Sequence, residues 1–421
     1  MLAFALMHFD DPIDSQAECF LNEFSNLPDL HENAFIALMA LGLETEEPYR
    51  QALNNYQYTL LPSTLRQSGQ QFDLPSVPST LDVKQFWEVK SGFCYLGDEL
   101  CTEHLLQNRV ALEASLSQFE GLLQRFVAVS EFNNFTPLNS VHVFIEYDNY
   151  SALSAMVGAK ALFLIDEHKF DEAATLINRL AILDRKLLRA KVSLIADMAF
   201  TSNYNLLYEP LIQKLLKTKF DNWHLLWQVL QPLSIGEISY NHSLLRQSIT
   251  FLNSFESELN VDKQQSDLWL GEDKTSYLYK RNITRNYLYK TINSQLLPYD
   301  VSKETLLEAI TLAQSANGQI QNERKMARGS NWRLLKYFRN IIGYQFVELT
   351  LPTPLDFGEN LVSVDLEIYL LQALIQAKRE GLESVITEPL LKNPYTGEGA
   401  SFVDNRLCYR FDDDDVCLTM P

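Results

Sequence analysis

Cysteine is the residue type in this sequence whose placement most suggests chemistry. Four of the five cysteines fall into two pairs: Cys94 and Cys101 bracket CYLGDELC, Cys408 and Cys417 flank YRFDDDDV, and Cys19 stands apart. The first spacing is not the C-x-x-C of thioredoxins or zinc ribbons, and no second pair lies beside it to complete a four-thiolate site. Cys101 falls in the first turn of a predicted helix, where the helix dipole lowers a thiol pKa. A redox-active pair and buried free thiols are therefore two readings, and a structural disulfide tying loop to helix is the favoured one. In the tail, a reversal through a two-residue turn at Asp412 and Asp413 would set Cys408 directly opposite Cys417, within disulfide reach. Aspartate tolerates turn conformations, so the acidic run suits a hairpin tip. A calcium loop would need ligands at set spacings, a glycine bend and a terminal bidentate acid, none of which DDDD supplies. No metal site and no cofactor are expected. Two disulfides with one cysteine left over suit an oxidising compartment better than the cytosol.

Two basic segments are the next candidates. NERKMARGSNWRLLKYFRN (322–340) sets Arg324, Lys325, Arg328, Arg333, Lys336 and Arg339 against one acid, Glu323, and KRNITRNYLYK (280–290) is the other. With Tyr287, Trp332 and Tyr337 interleaved, such bases could hold a single strand by stacking and phosphate contacts. The whole chain opposes this: 54 acidic against 35 basic residues leave a net charge of −19, which repels nucleic acid and anionic membranes. Internal pairing with acids ranks first for these bases. An anionic partner (glycan phosphate, lipid headgroup or acidic protein) ranks second, and nucleic acid is not expected.

The remaining polar clusters are less specific. IDEHKFDE (165–172) gathers acids around His168, but it sits at a predicted turn between helices, where solvated charge is the default. Trp223, His224 and Trp227 read as core rather than a cofactor pocket. Carboxylate pairs such as Glu146/Asp148 could serve a glycosidase, yet an acidic chain holds many such pairs. H-E-x-x-H, G-x-S-x-G and a phosphate-binding glycine loop are all lacking.

The elements that must carry these residues are helices. In EHLLQNRVALEASLSQFEGLLQRFV, Leu105, Leu112, Leu116, Phe119, Leu123 and Phe126 recur at helical spacing on one face, and Asp98 suits the N-cap before them. Amphipathic runs follow at 15–27, 31–43, 151–166, 170–200, 203–217, 242–259, 303–316, 332–350 and 364–380, and period-two alternation waits for the last thirty residues or so. The expected fold is mainly α: antiparallel helix pairs with a small C-terminal β-hairpin. The expected divisions are N-terminal helices at 1–60, an irregular proline-containing connection at 61–98, a helical body at 99–390, and a turn and hairpin tail at 391–421. The apolar start MLAFALM is too short to span a bilayer, which takes about 20 residues. It reads either as a short element packed on the core or as the end of a membrane anchor.

Two resemblances extend this reading. AKALFLIDEHKFDEAATLINRLAILDR (159–185) resembles one tetratricopeptide unit, with Ala161 in the first helix, Phe170 through Ala173 entering the second, and Leu180 through Asp184 closing it. No second copy follows at the ~34-residue repeat, and a generic helical hairpin explains the match equally. ENAFIALMALGL (32–43), the Cys94/Cys101 pair, LLQRF (122–126), RNITRN (281–286), RNIIGYQF (339–346) and NPYTGEGASF (393–402), in this order, resemble a family of uncharacterised, mostly helical proteins of Gram-negative bacteria. These are usually preceded by one N-terminal membrane segment and have no assigned activity. The resemblance implies an envelope location with the body in the periplasm, MLAFALM as the end of an anchor, and both cysteine pairs as disulfides. The expected role is a non-catalytic binding protein or scaffold for an envelope component. The alternatives are an envelope hydrolase using a carboxylate pair and a binder of anionic ligands through 322–340.

Overall fold

Helices whose apolar stripes face one another build the body, and two of them are buried on nearly every side. A computed structural model describes residues 10–22, 29–41, 43, 47–59, 92–97, 99–138, 147–265, 279–328, 340–350, 355–381, 392–411 and 414–420. The N-terminal helices are α1 (Ser15–Asn22), α2 (Ala34–Met39) and α3 (Pro48–Thr59). The body runs through α4 (Glu99–Gln107), α5 (Arg109–Gln118), α6 (Glu120–Ala128), α7 (Tyr147–Asp166), α8 (Phe170–Ala190), α9 (Leu194–Asn203) and α10 (Glu209–Leu216). It continues with α11 (Asn241–Gln265), α12 (Arg281–Asn293), α13 (Lys303–Arg328), α14 (Ile341–Thr350) and α15 (Leu355–Glu380). Strands β1 (Ser401–Val403), β2 (Arg406–Phe411) and β3 (Asp414–Thr419) close the chain.

The predicted helix over 99–126 keeps its face but not its continuity. Leu105, Leu112, Leu116, Leu123 and Phe126 are buried as the spacing requires. Asn108 (φ −101°, ψ 15°) and Phe119 (φ −102°, ψ 9°) leave helical geometry, so three short helices replace one straight rod, and the second and third pack on the α7–α8 pair. Asp98, its predicted cap, lies outside the described residues. The run at 170–200 likewise divides: Lys191 turns left-handed at φ 51°, and Ser193 then caps α9 by accepting the Ala196 N–H at 3.2 Å.

Helices α7 and α8 form the predicted hairpin. Ala161 and Ala173 are fully buried between them, and the turn passes through His168 at φ 62°. One π-helical turn, Tyr204–Tyr208, joins α9 to α10, and Gly158 of α7 admits it. A Cβ on Gly158 would stand 2.7 Å from Leu207 Cδ1, so a larger residue would push the two apart. Helix α15 is the second central rod. It buries Leu361, Val364, Leu366, Ile368, Leu371 and Leu374, with β2 and β3 against it on one side and α9 on another.

The tail is a three-stranded antiparallel sheet, β1-β2-β3, not the two-stranded hairpin expected. Its β2–β3 register does set Cys408 opposite Cys417 and Phe411 opposite Asp414. The extra strand arises because Asp404 (φ 49°) and Asn405 (φ 60°) turn the chain between Val403 and Arg406. Two consecutive left-handed residues make the hairpin turn whose twist matches paired strands. Tyr395, Leu407, Tyr409, Val416 and Leu418 join the same apolar cluster as the helices, so tail and body share one core. A small separate cluster of Ile36, Ala40, Ala52 and Tyr56 ties α2 to α3. No described helix is long and apolar enough to cross a membrane. MLAFALM lies outside the described residues, as does the predicted connection at 61–98 except for 92–97.

Candidate functional site: charges held inside the helical body

Both cysteine pairs are disulfides. Cys94–Cys101 (Cα–Cα 5.8 Å) pins the loop before α4, and Gly97 N–H donates to Leu206 O at 3.2 Å, so that loop lies on the π turn. Cys408–Cys417 (Cα–Cα 4.1 Å) bridges β2 and β3, and Cys19 is an exposed free thiol. Two disulfides are compatible with a periplasmic or extracellular location. The side chains of Arg324, Lys325, Arg328, Arg333, Lys336 and Arg339 lie outside the described residues, as do those of Glu146 and Asp148.

The other basic segment is consumed internally. In RNITRN the repeat at i and i+4 puts Arg281 and Arg285 on one face of α12 and Asn282 and Asn286 on the next. The arginines donate to Glu256 of α11 at 2.7–3.0 Å, joined by Tyr279 Oη at 3.1 Å. Burial pushes the Glu256 carboxyl up, but Arg285 and Arg281 outweigh it and leave the pKa below the ordinary value. Asn282 and Asn286 grip the N-terminal segment through Asp11 O and Pro12 O, while Asp10 accepts the Asn282 and Ile283 N–H groups at the start of α12. Thr284 meets buried Asn340, and Gly343 lies so close that a Cβ there would be 1.9 Å from Thr284 Oγ1. The phrases RNITRN and RNIIGYQF are thus two sides of one joint.

Two more of those phrases are joints of the same kind. Asn33 caps α2 and donates to Asp29 O and Thr136 O, and Asn393 accepts from Tyr395 N–H while donating to Arg410 O. The acidic turn at 165–172 is solvated, with Arg109 bridging Glu113, Asp166 and Glu167. Trp223 packs edge-on against Phe220, 4.8 Å between ring centroids, whereas Trp227 is 54% exposed and so is not core.

The clusters with unusual electrostatics are ones that periodicity did not single out. Asp184 of α8 accepts from Tyr150, Tyr208 and Asn203, yet full burial still raises its pKa to about 6. Next to it, Arg185 is enclosed with every donor committed. Nε and Nη2 bind Glu237 at 3.1 and 3.0 Å, and Nη1 and Nη2 serve the carbonyls of Gln228, Gln231 and Pro232. Burial opposes ionisation of Glu237, but Arg185 and the Ser234 capping box hold its pKa at about 2. Lys191 donates to Glu237 O at 2.6 Å and stands 3.8 Å from Asp197. Asp197 and the neighbouring Ser243 are both buried, and burial raises the Asp197 pKa to about 6 although Lys191 and Ser243 act to lower it. Asp365 of α15 gathers Lys303 Nζ (2.5 Å), Tyr395 Oη (2.7 Å) and Leu233 N–H (2.5 Å).

One acid pair is not neutralised in this way. Glu367 of α15 and Glu209 of α10 are half-buried, and burial raises both pKa values. Glu367 reaches about 8, with the Glu209 charge adding to the effect. Glu367 Oε2 is enclosed and completes no hydrogen bond, and neither does the hydroxyl of buried Tyr204. Among the described residues, no three of His, Cys, Asp and Glu converge as a metal site would need. A sequence signal for these clusters did exist, namely charges inside apolar helical runs: LAILDRKLL for Asp184 and Arg185, LVSVDLEIYLL for Asp365 and Glu367.

The raised Glu367 pKa has a thermodynamic sign. The folded state binds this proton more tightly than the unfolded chain, so the stabilisation is complete below the ordinary 4.5 and is lost as pH rises through about 8. Glu367→Gln is therefore expected to match the wild type near ~pH 4 and to exceed it in melting temperature near ~pH 9. Equal melting temperatures at the higher pH would refute the assignment.

No family model, no curated protein and no solved structure matches this chain.

Proposed function

We propose that the protein is a non-catalytic binding protein or scaffold of the bacterial envelope, with its body in the periplasm. The observation that carries the reading is where its buried charges go. Arg185, Glu237, Glu256, Asp184 and Asp365 each spend their hydrogen bonds on partners within the body, which makes them joints between helices. Joints of this kind specify a rigid helical surface rather than a reaction centre. The two disulfides support the compartment, and four of the phrases that resemble the envelope family, ENAFIALMALGL, RNITRN, RNIIGYQF and NPYTGEGASF, fall on structural joints. A carboxylate-pair hydrolase is the second reading, favoured by the raised pKa values of Glu209 and Glu367.

Protein isolated from its native host tests both halves of the reading. Alkylation without reduction should label Cys19 alone, and after reduction all five cysteines; five labels without reduction would remove the compartment argument. A photo-crosslinker in place of exposed Val110 or Tyr299, in the same host, should give a discrete adduct in the envelope fraction. Adducts confined to cytosolic proteins would overturn the proposal.

A further inference from the structure

We propose that Cys94–Cys101 is a thiol-exchange site at which a dithiol reductant unlocks the loop 92–97 from the π turn Tyr204–Tyr208. The bond closes a short ring, with Cys94 in that loop and Cys101 in the first turn of α4. Inside the ring, Leu96 is 5% exposed and reaches α7, where its Cδ1 would stand 3.7 Å from a Cβ on Gly158, beside Leu207. Gly97 meets the π turn itself. A Cβ on Gly97 would lie 2.9 Å from Leu206 Cδ2, so the close approach favours glycine. The bond from Gly97 N–H to Leu206 O has a reason in the sequence. In a regular helix that carbonyl would accept from the residue four positions on, which is Pro210 and has no N–H. The loop supplies a donor in its place. The same turn carries Tyr208, whose hydroxyl donates to Asp184 of α8, so the loop lies on a turn joined to the central hairpin.

The two sulfurs are not equivalent. Cys94 keeps partial exposure, whereas Cys101 is 5% exposed. A thiolate of the reductant attacks Cys94 Sγ and forms a mixed disulfide there, and the Cys94–Cys101 bond breaks with its electron pair on Cys101. The N-terminus of α4 stabilises that leaving thiolate, which speeds the exchange. The reductant's second thiolate then displaces Cys94, closing the reductant's own disulfide. Two protons from the reductant's thiols end on Cys94 and Cys101. The other bridge is less suited to this chemistry. Its partly exposed sulfur is Cys417, and attack there would expel Cys408, which is 2% exposed and belongs to a strand rather than to a helix start.

Graded dithiothreitol, applied to the full chain without denaturant and followed by alkylation and peptide mapping, tests the site. Cys94 and Cys101 should be half-reduced at a concentration at least about tenfold below that needed for Cys408 and Cys417. Brief treatment with glutathione should place the mixed disulfide on Cys94. Hydrogen exchange at Gly97 and along 204–208 should then speed up at least about tenfold in the selectively reduced protein, while β2 and β3 keep their protection. The double variant Cys94→Ser, Cys101→Ser should reproduce that exchange pattern with no reductant present. Simultaneous reduction of both bridges, a glutathione adduct on Cys101, or unchanged exchange at Gly97 after reduction would each overturn the proposal. None of these failures touches the scaffold reading, which rests on the buried charges.

Discussion

Arg185→Met should destabilise the protein by about 3–5 kcal/mol, the usual cost of removing one member of a buried ion pair. The arginine is 1% exposed and links α8 to the segment 228–237 through Glu237 and three backbone carbonyls. Without it, Glu237 keeps Arg189 and Ser234 but loses its bidentate partner, and three carbonyls lose their donor. Urea denaturation at neutral pH would measure the loss. The double variant Arg185→Met, Glu237→Met should recover only part of it, because the carbonyls stay unpaired whatever replaces the acid. Full recovery would show that the charge pair alone matters. The pH dependence follows the depressed Glu237 pKa of about 2: its stabilisation is present above the ordinary 4.5 and is lost as pH falls through the folded value. Arg185→Met should therefore be less acid-sensitive than the wild type in that range.

The second large effect is expected at Asp365. Asp365→Ala should cost about 3–5 kcal/mol, because it strands the Lys303 ammonium together with the Tyr395 hydroxyl and the Leu233 N–H. These partners come from α13, the turn before the sheet and the segment before Ser234, so one carboxylate fastens three separated parts of the chain. The loss should have a location as well as a size. Hydrogen exchange should speed up at Tyr395–Gly397 and along β2, while α7 and α8 keep their protection. Asp365→Asn, which keeps an acceptor but loses the charge, should cost less. Uniform loss of protection over the whole chain would contradict the local fastening. The Lys303 ammonium also lies over the Tyr369 and Tyr395 rings, at 5.1 and 5.8 Å from their centroids. Part of the cost in the alanine variant is therefore softened by cation–π attraction.

What could be read in advance and what could not divide along one physical line. Leu105, Leu112, Leu116, Leu123 and Phe126 are buried because helical spacing is a local property of the chain, and an apolar stripe must be covered by something. The α7–α8 hairpin and the Cys408–Cys417 bridge were legible for the same reason: turn chemistry and strand register act over a few residues. The third strand was also locally written, in the Asp404-Asn405 pair, and was passed over in favour of the aspartate run. The breaks at Asn108, Phe119 and Lys191 were not legible, since a short bend is decided by the helices against which the chain must curve. The same holds for the charges. Asp184, Arg185, Asp365 and Glu367 show in the sequence only as ionisable residues inside apolar runs. Whether each is neutralised depends on side chains dozens of positions away: Arg185 finds Glu237, Asp365 finds Lys303 and Tyr395, and Glu256 finds Arg281 and Arg285. By itself the sequence determined a mainly helical, acidic chain with two closable cysteine pairs, because composition, periodicity and turn residues act locally. Only the tertiary structure decided that most of the buried charges are satisfied joints while Tyr204 and Glu367 keep unpartnered polar atoms, because pairing in a low-dielectric interior is set by which distant helices pack together.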